Sequence, residues 1–194
     1  MAWNHEKGLC WYNDEFCFIG VPKNASTSFR QTFKVGGNID NYLKPKNPNI
    51  LNLKLVTVIR EPLDRVISGY LESINRREKN TINKNFFKMV ESKERFIEFL
   101  KELENGFFDC HIEKQHFYVT NNDGVLLPFD IIIDFDNFNQ EINDLNKKAI
   151  KTNISSKNQK QFVKSYIDED VLNKIKKIYK EDFELYKHIK NGNK

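Results

Sequence analysis

The sequence has too few cysteines, in too irregular an arrangement, for a disulfide framework or a metal site. Its three cysteines are Cys10, Cys17 and Cys110, an odd number without metal-ligand spacing. We therefore expect free thiols in a reducing compartment, and we predict no metal.

Long apolar runs are also missing. No run approaches the roughly 20 residues that a membrane-spanning helix needs. The N-terminal residues lack the charged, apolar and small-residue layout of a signal peptide. A soluble, cytoplasmic protein with no membrane span is the resulting expectation.

Charge of one sign is in only slight excess, since 31 basic and 27 acidic residues give a formal net charge of +4. The two signs are interspersed and no nucleic-acid recognition motif is present, so nucleic acid is not a predicted partner. The mild positive excess suits a small anionic ligand.

The composition is that of a globular protein, with 39% hydrophobic and 13% aromatic residues in a chain of 194. There is no internal repeat and no convincing linker. The length predicts a single domain spanning residues 1–194.

Apolar, β-branched segments alternate with segments of helical periodicity. Strands are predicted at 16–21, 53–59 and 129–133, and helices at 27–33, from Pro62, at 94–103, at 137–145 with an Asn137/Gln140 capping box, and from Asp168 to Tyr186. The polar stretches 35–52 and 76–88 are predicted loops. The alternation predicts an α/β fold with a parallel sheet covered by helices on both faces.

The most informative segment is 16–33, FCFIGVPKNASTSFRQTF, in which a strand leads through a short loop into a helix. Helix N-terminal N–H groups lack intrahelical partners and carry partial positive charge, which attracts anions. Lys23 adds a full charge, and Ser26, Thr27 and Ser28 add hydroxyl donors. This cradle predicts a phosphate-like ligand and a three-layer, P-loop-like sheet flanked by helices.

A second informative segment is 56–71, VTVIREPLDRVISGYL. Arg60 stands at the end of a predicted strand, the edge where open α/β sheets bind ligands. Arg60 and Ser68 together offer a second phosphate clamp, separate from the Lys23 loop. Two such clamps at neighbouring strand–helix junctions predict one ligand with two phosphate-like ends. The structural alternatives are an ion pair of Arg60 with Glu61 or Asp64 and close packing at Ser68.

The two segments VPKNASTSF and VIREPLDRVISGY resemble the cofactor motifs of sulfotransferases, specifically of the carbohydrate sulfotransferase branch. In that family the first motif holds the 5′-phosphosulfate of 3′-phosphoadenosine-5′-phosphosulfate (PAPS), and the second holds its 3′-phosphate. The resemblance therefore implies a PAPS-binding set made of Pro22, Lys23, Asn24, Ala25, Ser26, Thr27, Ser28, Arg60 and Ser68. It also implies a carbohydrate or other hydroxyl acceptor.

The likeness continues beyond the cofactor motifs. CHIEKQHFY at 110–118 resembles the family's His-aromatic-x-Pro-Gln segment, with Ile112 and Lys114 in place of the usual aromatic residue and proline. Residues 130–138 and 179–186 resemble a family strand-and-turn segment and the common C-terminal helix. The resemblance thus extends from about residue 16 to residue 186.

In such an enzyme Lys23 would stabilise the negative charge that develops on the bridging oxygen of the donor. The acceptor hydroxyl also needs a general base within hydrogen-bond reach. No histidine lies between Lys23 and Arg60, so we assign the base to His111, which matches the later family segment. His116 is the alternative, followed by Glu61 and Glu72.

Two other functions remain open at this stage. An ATP-dependent kinase would share the strand–loop–helix cradle, but the fingerprint G-x-x-x-x-G-K-[ST] is absent and only Asp134 and Asp136 offer carboxylates for Mg²⁺. A non-catalytic protein that binds PAPS or a sulfated glycan would keep the cofactor motifs without a working base.

Overall fold

The structure is a computed structural model, and it describes residues 9–35, 52–79, 92–107, 110–145 and 157–192. These ranges divide into two compact units. The first comprises 9–35, 52–60 and 114–145, and the second comprises 61–79, 92–107, 110–113 and 157–192. The expectation of a single domain over 1–194 stays a prediction.

The described chain contains four strands, eight α-helices and a 3₁₀ helix. In chain order they are β1 Leu9–Tyr12, β2 Phe16–Gly20, α1 Ser26–Phe33, β3 Lys54–Ile59, α2 Pro62–Lys79, α3 Lys93–Glu104, α4 His116–Val119, β4 Ile131–Asp134, the 3₁₀ helix Phe135–Asn137, α5 Phe138–Asp144, α6 Lys157–Lys164, α7 Glu169–Ile178 and α8 Lys180–Lys190.

The first unit is built on an open, mostly parallel sheet of order β1-β2-β3-β4. β2 pairs parallel with β3, β3 pairs parallel with β4, and β1 pairs antiparallel with β2. The predicted α/β class and its parallel strands are confirmed. The antiparallel edge strand was not predicted, because four residues are too few to show a period. Asn13 shapes its turn, since its Oδ1 accepts the N–H groups of Glu15 and Phe16.

Aromatic rings fill one face of this sheet. Phe18 of β2 stacks on Phe29 of α1 with 4.0 Å between ring centroids, and Phe29 stacks on Phe33 at 4.3 Å. Phe138 and Ile142 of α5 join the same buried cluster. α1 and α5 therefore cover this face, and they fix the position of the β2–α1 loop.

The other face of the sheet carries the alternate side chains of the same strands. Cys17, Ile19 and Leu55 are buried there with Leu127, and the Thr57 hydroxyl donates to the Ile19 carbonyl at 2.9 Å. This period of two places successive strand residues on opposite faces, so both faces of β2 and β3 are buried.

The second unit is helical, and α2, α3 and α7 contribute to its core. Tyr70 of α2 packs against Phe96 of α3 with ring centroids 4.9 Å apart. Buried Tyr179 separates α7 from α8, and its hydroxyl donates to the Ile112 carbonyl at 2.6 Å. The helix that the sequence predicts from Asp168 to Tyr186 is therefore two helices.

Some predicted helix boundaries are correct and others are wrong. Pro62 begins α2, and Asp168 caps α7 by accepting the Val171 N–H at 3.0 Å. The Asn137/Gln140 capping box is wrong, because Asn137 makes no side-chain cap. A 3₁₀ helix leads into α5 instead, and the Asp134 carboxylate caps it through the Asp136 N–H.

The predicted loops fall largely outside the described residues. The loop predicted at 76–88 begins too early, since α2 continues to Lys79, and residues 80–88 lie outside the described ranges. Of the loop predicted at 35–52, residues 36–51 also lie outside them. None of the helices in the described ranges has the length and hydropathy to cross a membrane.

Candidate functional site

The β2–α1 loop, residues 21–25, has an unusual backbone. Lys23 has φ 70° and Ala25 has φ 57°, so two non-glycine residues adopt left-handed conformations on either side of Asn24. Each such residue costs about 1–2 kcal/mol. Alternating left-handed residues turn successive N–H groups into a concave nest that binds anions, and local strain of this kind concentrates at functional sites.

The N-terminus of α1 has no side-chain cap from its N-cap residue, Ala25, and its first turn contains no acidic residue. The first-turn residues are Ser26, which is half-buried, Thr27, which is exposed, and Ser28, which is buried. An uncapped, acid-free helix start next to a lysine is a site that an anion would complete.

Arg60 reaches this loop from the end of β3. Its Nη1 donates to the Lys23 carbonyl at 2.9 Å, and its guanidinium lies 4.3 Å from the centre of the Phe135 ring. Its side chain is almost completely buried. The sequence predicts a clamp separate from the Lys23 loop, whereas the guanidinium contacts the loop itself. Its predicted role in binding a 3′-phosphate stays a prediction.

A buried pair of amide side chains ties the loop to the end of β3. The Asn24 Nδ2 donates to the Val58 carbonyl and to the Gln115 Oε1, both at 2.9 Å. Gln115 in turn bonds to both backbone groups of Arg60, accepting the N–H at 3.2 Å and donating to the carbonyl at 2.9 Å. The Asn24 Oδ1 has no hydrogen-bond partner among the described residues. Neither Gln115 nor Phe135 was predicted as a site residue.

Ser68 and His111 belong to the second unit. Ser68 is buried on α2. A Cβ built on the next residue, Gly69, would lie 2.7 Å from the His111 carbonyl oxygen and 2.7 Å from the Ile112 Cγ2. The structure therefore brings the backbone of His111 next to the helix turn that carries Ser68. Lys23 and Arg60 are brought together within the first unit.

His111 is half-buried, and its Nδ1 lies 3.3 Å from the Cys110 Sγ. Glu61, an alternative base, directly precedes α2, and its Oε2 accepts the Asp64 N–H at 2.7 Å. Burial raises the pKa of the Glu61 carboxyl, and the N–H groups of Asp64 and Leu63 oppose that rise. Asp64 itself pairs with Lys164 at 2.7 Å. Glu61 thus has a structural role as a helix cap.

His116 lies beside a pocket that sequence reasoning missed. The pocket has a volume of about 460 Å³ and is lined by His116, Phe117, Thr120, Asn121, Asn122 and Gly124. The His116 and Phe117 rings are 4.1 Å apart, and Phe117 is 40% exposed. An exposed aromatic ring beside amide and hydroxyl groups is a usual lining for a small polar ligand. Within the ranges that the structure describes, no cluster of three metal-ligating side chains is found.

Comparison with known proteins gives two negative results and one positive result. No protein-family model matches the chain. No solved structure matches it either. Among curated proteins, it is similar to bifunctional heparan sulfate N-deacetylase/N-sulfotransferases. Enzyme 2 of Mus musculus is 28% identical over 134 residues, which is 66% of this chain and 14% of the relative.

Two other enzymes of the same description show similar figures. Enzyme 3 of Homo sapiens is 25% identical over 138 residues, 67% of this chain, and enzyme 1 of Xenopus laevis is 27% identical over 127 residues, 60% of this chain. The chain spans 14% of the length of each. It is a distant homologue of these enzymes, which confirms the resemblance to carbohydrate sulfotransferases carried by the two motifs.

Proposed function

We propose that this chain is a PAPS-dependent sulfotransferase that transfers a sulfuryl group to a carbohydrate hydroxyl. The observation that carries the proposal is the strained, uncapped β2–α1 loop, with Lys23 in it and the Arg60 guanidinium on its backbone. Distant homology to N-sulfotransferases over about two thirds of the chain supports it independently.

The donor would bind along the loop and the start of α1. In this proposal Lys23 and the first-turn N–H groups hold the 5′-phosphosulfate, and Ser26, Thr27 and Ser28 donate hydroxyl hydrogen bonds. Arg60 and Ser68 hold the 3′-phosphate. The absence of a side-chain cap and of acidic residues at α1 fits this anionic donor.

When bound, PAPS supplies an activated sulfuryl group whose leaving group is a phosphate. The Lys23 ammonium and the N–H groups of the loop stabilise the negative charge that grows on the bridging oxygen. His111 accepts the proton of the acceptor hydroxyl, with His116 as the alternative base. We expect Lys23→Ala to lower the turnover rate by roughly 100-fold or more.

For His116, the alternative base, the proposed acceptor site is the pocket beside it, because that pocket offers one aromatic face and several neutral polar groups. The names of the relatives specify N-sulfotransferases, which transfer to nitrogen. The turnover assay should therefore compare a glycan amine with a glycan hydroxyl as the acceptor group.

Thermal unfolding with 3′-phosphoadenosine-5′-phosphate (PAP), ADP or Mg-ATP tests the donor. At 100 times its Kd, a ligand adds about 2.7 kcal/mol, a Tm rise of about 5–10 °C for this size. We expect a rise with PAP that Lys23→Ala abolishes. Lys54→Ala should keep it, because exposed Lys54 begins the same strand that ends before Arg60. A rise with Mg-ATP alone would replace the proposal with a kinase.

Turnover with PAPS tests the chemistry. A glycan with free amines and its N-acetylated counterpart should be assayed with wild type, His111→Gln and His116→Gln. Loss of turnover with normal PAP binding in one histidine variant identifies the base. PAP binding without turnover on any acceptor would favour a non-catalytic binding protein.

A further inference from the structure

Gln115 occupies a central position in the first unit that the proposed chemistry does not use. Its side chain is 1% exposed, and it contacts Arg60 and Asn24 through three hydrogen bonds. Arg60 follows the last residue of β3, so a buried N–H and a buried carbonyl there require partners. The carboxamide of Gln115 supplies both, in the way that a neighbouring strand would.

The same carboxamide also reaches the β2–α1 loop. Its Oε1 accepts the Asn24 Nδ2 hydrogen bond, and Asn24 lies between the two left-handed residues Lys23 and Ala25. A strained backbone persists only where its surroundings determine it fully. The Asn24 side chain, fixed by Gln115 and by the Val58 carbonyl, provides that determination.

We propose that Gln115 is a positioning residue for donor binding. It fixes the backbone of Arg60 and the side chain of Asn24, and it thereby sets the shape of the β2–α1 loop and the direction from which Arg60 reaches it. This inference rests on the proposed function, since the ligand it prepares the loop for is the nucleotide donor. Gln115 acts through Asn24 and Arg60 and does not itself touch the reacting atoms.

The first measurement is amide hydrogen exchange in the absence of ligand. In wild type the Arg60 N–H should be protected, because Gln115 accepts it. In Gln115→Met that protection should fall by roughly tenfold, the loss of one net hydrogen bond. The Val58 N–H, inside β3, should exchange as before. Gln115→Asn keeps an amide that is too short to reach, and it provides the same test if the methionine variant folds poorly.

The second measurement is PAP affinity, by calorimetry, at a temperature where all variants are folded. We expect Gln115→Met to weaken PAP binding by roughly 10- to 100-fold, with a smaller change in kcat at saturating PAPS. Combined with Arg60→Met, its effect should be less than multiplicative, because Gln115 bonds to both backbone groups of Arg60. Gln140→Met, on the exposed side of α5, is the matched control and should change neither affinity nor exchange.

These measurements separate the two claims. A wild-type chain that does not bind PAP would overturn the proposed function. Binding of PAP by wild type and by Gln115→Met with equal affinity would overturn the positioning role alone. An equal loss of protection at all amides of the sheet would also overturn it, since Gln115 would then serve only global stability.

Discussion

Two arginines from one short segment contact different parts of the molecule. Arg60 and Arg65 are only five residues apart and both are almost completely buried. In the first unit, the Arg60 guanidinium contacts the Lys23 carbonyl and the Phe135 ring. In the second unit, the Arg65 Nη1 lies 4.0 Å from the Oδ2 of buried Asp182.

The difference separates a binding role from a structural one. The carboxylate of Asp182 lies buried inside the second unit and balances the positive charge of the Arg65 guanidinium there. Arg60 contacts a backbone oxygen of the strained β2–α1 loop and an aromatic face, so its guanidinium lies at the candidate anion site. We therefore expect changes at Arg60 to affect ligand binding and changes at the Arg65–Asp182 pair to affect stability.

The largest effect is expected at Asp182. Asp182→Ala leaves the Arg65 charge buried without its carboxylate, and breaking a buried pair in this way costs about 3–5 kcal/mol. The Arg65 Nε and Nη2 already have no hydrogen-bond partner among the described residues, so they cannot offset the loss. Urea unfolding followed by circular dichroism measures the change.

Two variants control this prediction. Glu184→Ala removes a carboxylate from the exposed side of the same helix, where its pair with Lys180 spans 3.7 Å, and should change stability little. The double variant Arg65→Met/Asp182→Leu removes both buried charges and should regain most of the lost stability. A double variant as unstable as Asp182→Ala would show that the buried pair is not the cause.

The second effect is a loss of affinity at Arg60. Arg60→Met keeps an unbranched chain against Phe135 but removes the charge, so PAP binding should weaken by roughly tenfold, about 1.4 kcal/mol. Calorimetric titration measures it. The Arg65→Met/Asp182→Leu variant should bind PAP like wild type. Equal losses in the two variants would remove the distinction between the arginines.

The elements that could be predicted from the sequence are those that a short local pattern determines. The buried strand at 16–21 was predictable from its apolar run, and the start of α2 at Pro62 from the fixed φ of proline. The break at Tyr179 was not, because the helical period continues through it, and the hydroxyl bond to Ile112 that accompanies it joins distant segments.

The charged residues of the candidate site could be predicted from the sequence, but the hydrogen bonds that join them to the rest of the site could not. Lys23 and Arg60 were identified from their positions after strands, and the structure joins them. The part played by Gln115 depends on a contact with Asn24, 91 positions away. No local pattern encodes such a contact, and the only signal for Gln115 was its place in a segment that resembles a family motif.

A smaller effect is expected from the strain in the β2–α1 loop. Ala25→Gly removes the cost of a left-handed alanine but also raises the conformational entropy of the unfolded chain. The free energy of unfolding should therefore rise by about 0.5–1 kcal/mol. The same variant should weaken PAP binding, because the free loop becomes less ordered. Lys34→Gly relieves a left-handed residue with φ 52° at the other end of α1 and should gain stability without affecting PAP.

The smallest effect on stability is expected at an exposed ion pair of the second unit, Lys93–Asp168. It can be compared with the effect expected at the buried pair Arg65–Asp182. The Lys93 Nζ lies 2.6 Å from the Asp168 Oδ2, and both side chains are about half exposed. The hydrogen bond from Lys93, with help from the Val171 N–H, holds the pKa of Asp168 below its ordinary value. The ion pair therefore stabilises the fold at pH values above the pKa that Asp168 has in the unfolded chain. This stabilisation is lost as the pH falls through the lower pKa that Asp168 has in the folded protein.

Thermal unfolding between pH 2 and pH 6 should show this as a fall in Tm at the acidic end that is slightly smaller in Asp168→Asn, in which the other paired carboxylates still titrate. The asparagine keeps the helix cap and removes only the titrating charge. Salt should reduce the difference, because exposed pairs are screened. A fall as large as that of Asp182→Ala would mean that burial does not distinguish the two pairs, and the assignment of Arg65 to a purely structural role would lose its basis.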